Sequence, residues 1–124
     1  MKMLLVDVFS EKVFVVDAET VRDYYHFLKC NSVDVRLRQI GAGGDYFSII
    51  CDDDGQLSDC PKISAVDCFL EVAFVGNLLI SGKADGNGNL VPLSNADVSY
   101  LLKHIKRLVT KDFPEGYPIL TQIN

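Results

Sequence analysis

The chain has 124 residues, 48% of them hydrophobic and 23% charged. That is enough apolar material for one packed domain, too little length for two ordinary ones, and too hydrophobic for a disordered chain. A formal net charge of −5 argues against a general phosphate-binding surface, which needs concentrated Lys and Arg, so direct nucleic-acid binding is not expected. The longest apolar run, around VAFVGNLLI at 72–80, falls far below the roughly 18 residues of a membrane span. In the opening MKMLLVDVF, Asp7 interrupts the apolar residues before a signal-peptide core develops. The expectation is a cytoplasmic protein with no membrane contact.

KMLLVDVF and KVFVV flank a short polar break at Ser10-Glu11-Lys12 and predict a hairpin. Thr20, with Asp23 three residues on, opens a helix whose Val21, Tyr24, Tyr25 and Leu28 form one apolar stripe; Asn31 and Ser32 end it. His26 falls on the opposite side, between Arg22 and Lys29, as a solvated histidine. In SVDVRLRQI, Val33, Val35, Leu37 and Gln39 alternate with Asp34, Arg36, Arg38 and Ile40, which predicts a half-buried strand with Arg36 and Arg38 outward. GAGG at 41–44 reads as a turn, because DYFSIIC, a strand, follows it where a phosphate loop would be followed by a helix.

DDDG turns the chain again, and a looser segment runs near 56–68. CFLEVAFVGNLLISG then supplies central sheet, kinked at Gly76-Asn77. DGNGN joins it to a short edge strand, LVPL. Ser94, with Asp97, caps a second helix carrying Val98, Leu101, Leu102, Ile105, Leu108 and Val109 over three turns, with Lys103, Arg107 and Lys111 on its far face. Pro114 and the Gly116-Tyr117-Pro118 turn stop that helix. The apolar tail YPILTQI must then be buried, either on its own sheet or as a strand added to another subunit, a two-fold homodimer being the favoured assembly. The expected fold is α+β: a mostly antiparallel sheet of about six strands with two helices packed on one face. Residues 1–111 form the domain and 112–124 a C-terminal extension.

Few residues advertise chemistry. Set as an EF-hand, the stretch from Lys83 places Asp85, Asn87 and Gly88 well, but a cation stands at the first ligand position and Ser94 at the twelfth, where a bidentate Glu belongs. It reads as a turn and a cap. Asp52, Asp53, Asp54 and Asp59 crowd one short segment. They read as a solvated acidic turn, an acidic recognition surface, or a magnesium or acid–base site. Arg36 and Arg38, with Lys103 and Arg107 on the helix, offer forks and charges to an anion such as a nucleotide phosphate. Cys30, Cys51, Cys60 and Cys68 contain no C-x-x-C pair and read as buried free thiols, a metal or redox role being the alternative. Neither histidine lies in a nucleophile or zinc motif, so no catalytic residue, metal ligand or cofactor is assigned.

The ordered segments LLVDV…KVFVVD, YFSIICDDDGQL and FVGNLLISGKADGNGNLVPLSNADVSYLLKHI, over roughly residues 3–106, resemble an uncharacterised family of small proteins. Its members are encoded largely by bacteriophages and conjugative elements of Gram-positive bacteria. LSDCPKIS stands where that family has a Leu-Pro-x-Asn-Arg-like turn, so no Asn-Arg pair carries over. The resemblance implies a mobile-element accessory protein without supplying a mechanism. The leading expectation is a non-enzymatic protein that binds a host or element protein, such as a DNA-processing or defence enzyme, through its acidic surface. A binder or sponge for small anionic ligands and a metal-dependent hydrolase using Asp52–Asp54 are the rivals.

Overall fold

The computed structural model describes residues 1–53 and 62–124. β1 (Lys2–Asp7) and β2 (Lys12–Asp17) form the expected hairpin. Its register sets Lys2 opposite Asp17 and Asp7 opposite Lys12, so opposite charges close both ends of the ladder. The Asp7 carboxylate then accepts from the Phe9 and Ser10 amides in the turn, at 3.0 and 3.1 Å. α1 (Val21–Leu28) starts at Thr20 with a full capping box to Asp23 and ends on Lys29 in the left-handed region. β3 (Val33–Gln39), β4 (Tyr46–Asp52), β5 (Ile63–Asp67), β6 (Val72–Val75) and β7 (Leu78–Lys83) follow. α2 (Asn95–Lys103), β8 (Ile105–Leu108) and β9 (Tyr117–Ile123) complete the described elements.

The strands make two sheets rather than one of six. The first is antiparallel throughout, in the order β2-β1-β7-β4-β3; the second runs β6-β5-β9-β8, with β5 and β9 parallel. Alternation decides what each face meets. Met3, Leu5, Ile50 and Leu79 cluster with Ala18 and with Leu28, Tyr24 and Phe27 of α1. Leu4, Val6, Phe47, Ile49, Leu78 and Ile80 point the other way, against Ala65, Phe74, Leu120 and Ile123 of the second sheet and Leu101 of α2. The two helices therefore lie on opposite faces of the large sheet, not on one. MLLV and LLIS, buried at every position, are what a sheet covered on both sides requires.

Three further expectations change. The second helix stops after Lys103, because the His104 amide closes on the Leu101 and Leu102 carbonyls and Ile105–Leu108 pair with Leu120–Tyr117. Strand pairing there outweighs the helical spacing of Ile105, Leu108 and Val109. The apolar run 68–82 is not one kinked strand: it breaks at Gly76-Asn77 into β6, an edge of the second sheet, and β7, the middle of the first. Buried Asn77 holds that crossing, accepting from Val8 N–H at 3.0 Å and donating to the Phe27 carbonyl at 2.9 Å. LVPL forms no strand; its backbone gives the Val91 carbonyl to Gly82 and the Leu93 amide to Lys2, and Leu93 is buried in the core. The tail packs on its own chain as β9, between β5 and β8.

The Ser94 cap is as expected. The Asp97 amide donates to Ser94 Oγ at 3.0 Å, and the Ser94 amide to the Asp97 carboxylate at 3.1 Å. Ser94→Ala should cost about 1 kcal/mol of unfolding free energy in urea titrations, with an unchanged denaturant slope. Among the described residues no helix is long and apolar enough to cross a membrane.

Candidate functional site

The acidic segment leaves β4. Asp52 is its last residue and Asp53 the turn that follows; Asp54 and Asp59 lie outside the described residues. A small cavity of about 60 Å³ opens there, lined by Arg36, Cys51, Asp52, Asp53 and Phe74 among others. That is room for one or two waters and far less than a nucleotide needs. Among the described residues no three His, Cys, Asp or Glu side chains come together as a metal site.

Arg36 and Arg38 do not face outward. Val35 and Leu37 take the exposed face of β3, while both guanidinium carbons sit 5.7 Å from the centroid of the Phe74 ring on β6. Their stems and forks close the open flank between the two sheets through cation–π contacts. Arg36 Nε also donates to Asp34 at 2.9 Å, which raises the guanidinium pKa and lowers that of the carboxyl. Arg38 Nη1 donates to the Leu37 carbonyl at 2.9 Å. Both forks are thus engaged within the fold. Lys103 ends α2, and Arg107 on β8 donates to the Glu115 and Gly116 carbonyls at 3.0 and 2.6 Å, so the two belong to no common helix face. Lys111 lies in the turn beyond.

The glycine loop serves packing. Tyr100 of α2 lies stacked at 6.0 Å on Phe47 and at 4.9 Å from His104, and its hydroxyl donates to the Ile40 carbonyl. A Cβ on Gly41 would come within 2.6 Å of that hydroxyl, and one on Gly44 would overlap both it and the Ile40 oxygen. The loop at 83–89 is a turn: Asp85 Oδ1 accepts from the Asn87 amide at 2.8 Å, and Lys83 pairs with Asp45 at 3.1 Å.

Burial pushes the Cys51 thiol up to about 11, against a smaller downward pull from Arg36. Cys68 is exposed. A thiolate-selective disulfide reagent at pH 8 should therefore modify Cys68 within minutes and Cys51 only after unfolding, as peptide mapping would show.

What the sequence did not reveal is the β5–β6 turn. Phe69 and Leu70 stand 80% and 81% exposed at its tip. The turn beneath them is tightly made. Asp67 Oδ1 accepts from the Phe69 and Glu71 amides at 2.8 and 3.0 Å, the Leu70 amide reaches the Asp67 carbonyl, and the Asp67 amide the Glu71 carbonyl. Leu70 sits at φ +64°, a left-handed conformation unfavourable for a bulky L residue. Inside CFLEVAFV these residues read as strand, and only the Asp67 side chain, a turn former, marks the difference. Arg38 and Ala73 share the shallow cleft behind Phe69. Comparison with protein-family models, curated proteins and solved structures gives no match to this chain.

Proposed function

We propose that this chain is a small non-enzymatic accessory protein that acts by binding another protein, and that the Phe69–Leu70 tip is its principal contact. One observation carries this reading: two adjacent large apolar side chains are held out by a hydrogen-bonded, strained turn. Exposed anchors of this kind, pre-ordered on a scaffold, are what an interface uses to fill a partner's pocket at low entropic cost. Asp67 and Glu71 flank the tip and the chain is acidic overall, which suits an apolar cleft with a basic rim. The acidic turn at Asp52 and Asp53 would add to the same steering field. A phage or mobile-element setting rests on the sequence resemblance, and the genes adjoining this one would test it.

The anionic-ligand reading draws no support from Arg36 and Arg38, whose forks are taken up by Asp34, Phe74 and the β3 backbone. The binding experiment is affinity capture from the native host with the intact chain and with Phe69→Ser/Leu70→Asn side by side. A partner retained by the first, lost by the second and weakened by salt is the expected outcome. Equal capture by both would remove the tip from the interface.

A further inference from the structure

We propose that a second copy of this chain pairs with the edge strand β3 across a two-fold axis at Val35. This surface is separate from the Phe69–Leu70 tip, and the inference stands whether or not the tip binds a partner. β3 is the outer strand of the large sheet. The Gln39 amide and carbonyl bond outward to Asn124, and the Gly41 amide to Gln122. With a two-residue period, the outward row on β3 is therefore Val33, Val35 and Leu37. Among the described residues no strand pairs with that row. It is bounded by the Asn124 contact at one end and, at the other, by the start of β3 at Val33. The centre of the row is Val35.

The side chains give the same centre independently. About Val35 an antiparallel copy sets Val33 opposite Leu37 and Asp34 opposite Arg36, so apolar meets apolar and each charge meets its opposite. Moving the axis one residue to Arg36 would set two guanidinium groups face to face, and moving it to Leu37 would oppose Arg36 with Arg38. Val35 and Leu37 are about half exposed, at 49% and 50%, on the face away from the second sheet. Phe74 braces the strand from the other side through both arginines. In the single chain Asp34 lies ion-paired to Arg36, and Arg38 covers the Leu37 carbonyl. In the pair, the partner's strand takes over that carbonyl, and Asp34 exchanges its own Arg36 for the one across the axis.

Sedimentation equilibrium of the full chain should give twice the 13.8 kDa chain mass. Asp34→Arg should halve it, and Asp34→Arg combined with Arg36→Asp should restore it, which a merely destabilising change would not do. Directly opposed residues in such a pair have Cα atoms about 5.5 Å apart, within disulfide reach. In a chain with Cys60 and Cys68 changed to Ser, Val35→Cys should then oxidise to a covalent dimer and Val33→Cys should not. A wild-type monomer at every concentration up to about 1 mM, the weak end of specific association, overturns the proposal. So does a dimer that ignores Asp34→Arg, or equal cross-linking at Val33 and Val35.

Discussion

Truncation after Lys111 should leave an unfolded chain. It removes β9, which lies between β5 and β8 and supplies Leu120 and Ile123 to the main core and Tyr117 and Ile119 to a second cluster with Val8 and Val66. Losing one buried Leu or Ile typically costs about 2–5 kcal/mol. Four losses of that order, about 8–20 kcal/mol together, match or exceed the roughly 5–15 kcal/mol by which domains are stable, before counting the strand's hydrogen bonds. β8 would also lose its only described sheet partner. Far-UV circular dichroism and dispersion of amide proton shifts would check it. A truncated chain that stays folded would show that β9 is dispensable and that the order β6-β5-β9-β8 does not describe the protein in solution.

Gly44→Ala should be the most damaging single substitution in the loops. The added methyl meets the Tyr100 hydroxyl and the Ile40 carbonyl together. One of these is backbone and cannot rotate away, so the α2–β4 contact through Tyr100 and Phe47 must shift. Overpacking of this kind costs about 3 kcal/mol at its upper end. Equilibrium unfolding in urea should show a loss of that size. Adding Tyr100→Phe should recover little of it, because the Ile40 oxygen remains. A Gly44→Ala chain as stable as the wild type would mean that the loop repacks freely and that its glycines serve something other than Tyr100.

Local chemistry was legible in the sequence, and long-range choice was not. The Thr20 and Ser94 capping boxes and the turn at Asp85 each depend on residues within four positions of one another, and the β1–β2 hairpin closes over five, from Asp7 to Lys12. The break at Gly76-Asn77 depends on where Val8 and Phe27 arrive, far off in sequence. Ile105–Leu108 satisfies both helical and strand spacing, and only pairing with Tyr117–Leu120 decides between them. On β3 the arginine stems are apolar enough to turn inward over Phe74, which leaves Val35 and Leu37 outside and inverts the simple reading of alternation. The segment near 56–68 hid β5, since Ser64 and Asp67 interrupt its apolar residues. Of the candidate binding residues, Arg36 and Asp53 do come to one place, while Lys103 and Arg107 separate onto a helix and a strand.

On the proposed function, Phe69 and Leu70 are held out for a contact and contribute nothing to the stability of the fold. Differential scanning calorimetry of Leu70→Gly checks this. Relief of the left-handed strain at φ +64° should offset the usual cost of a glycine and raise stability by about 1 kcal/mol, and Phe69→Ser should leave the melting temperature unchanged. A fall of more than about 2 kcal/mol in either variant, the size of a lost core side chain, would place these residues in the fold's own packing and contradict the claim.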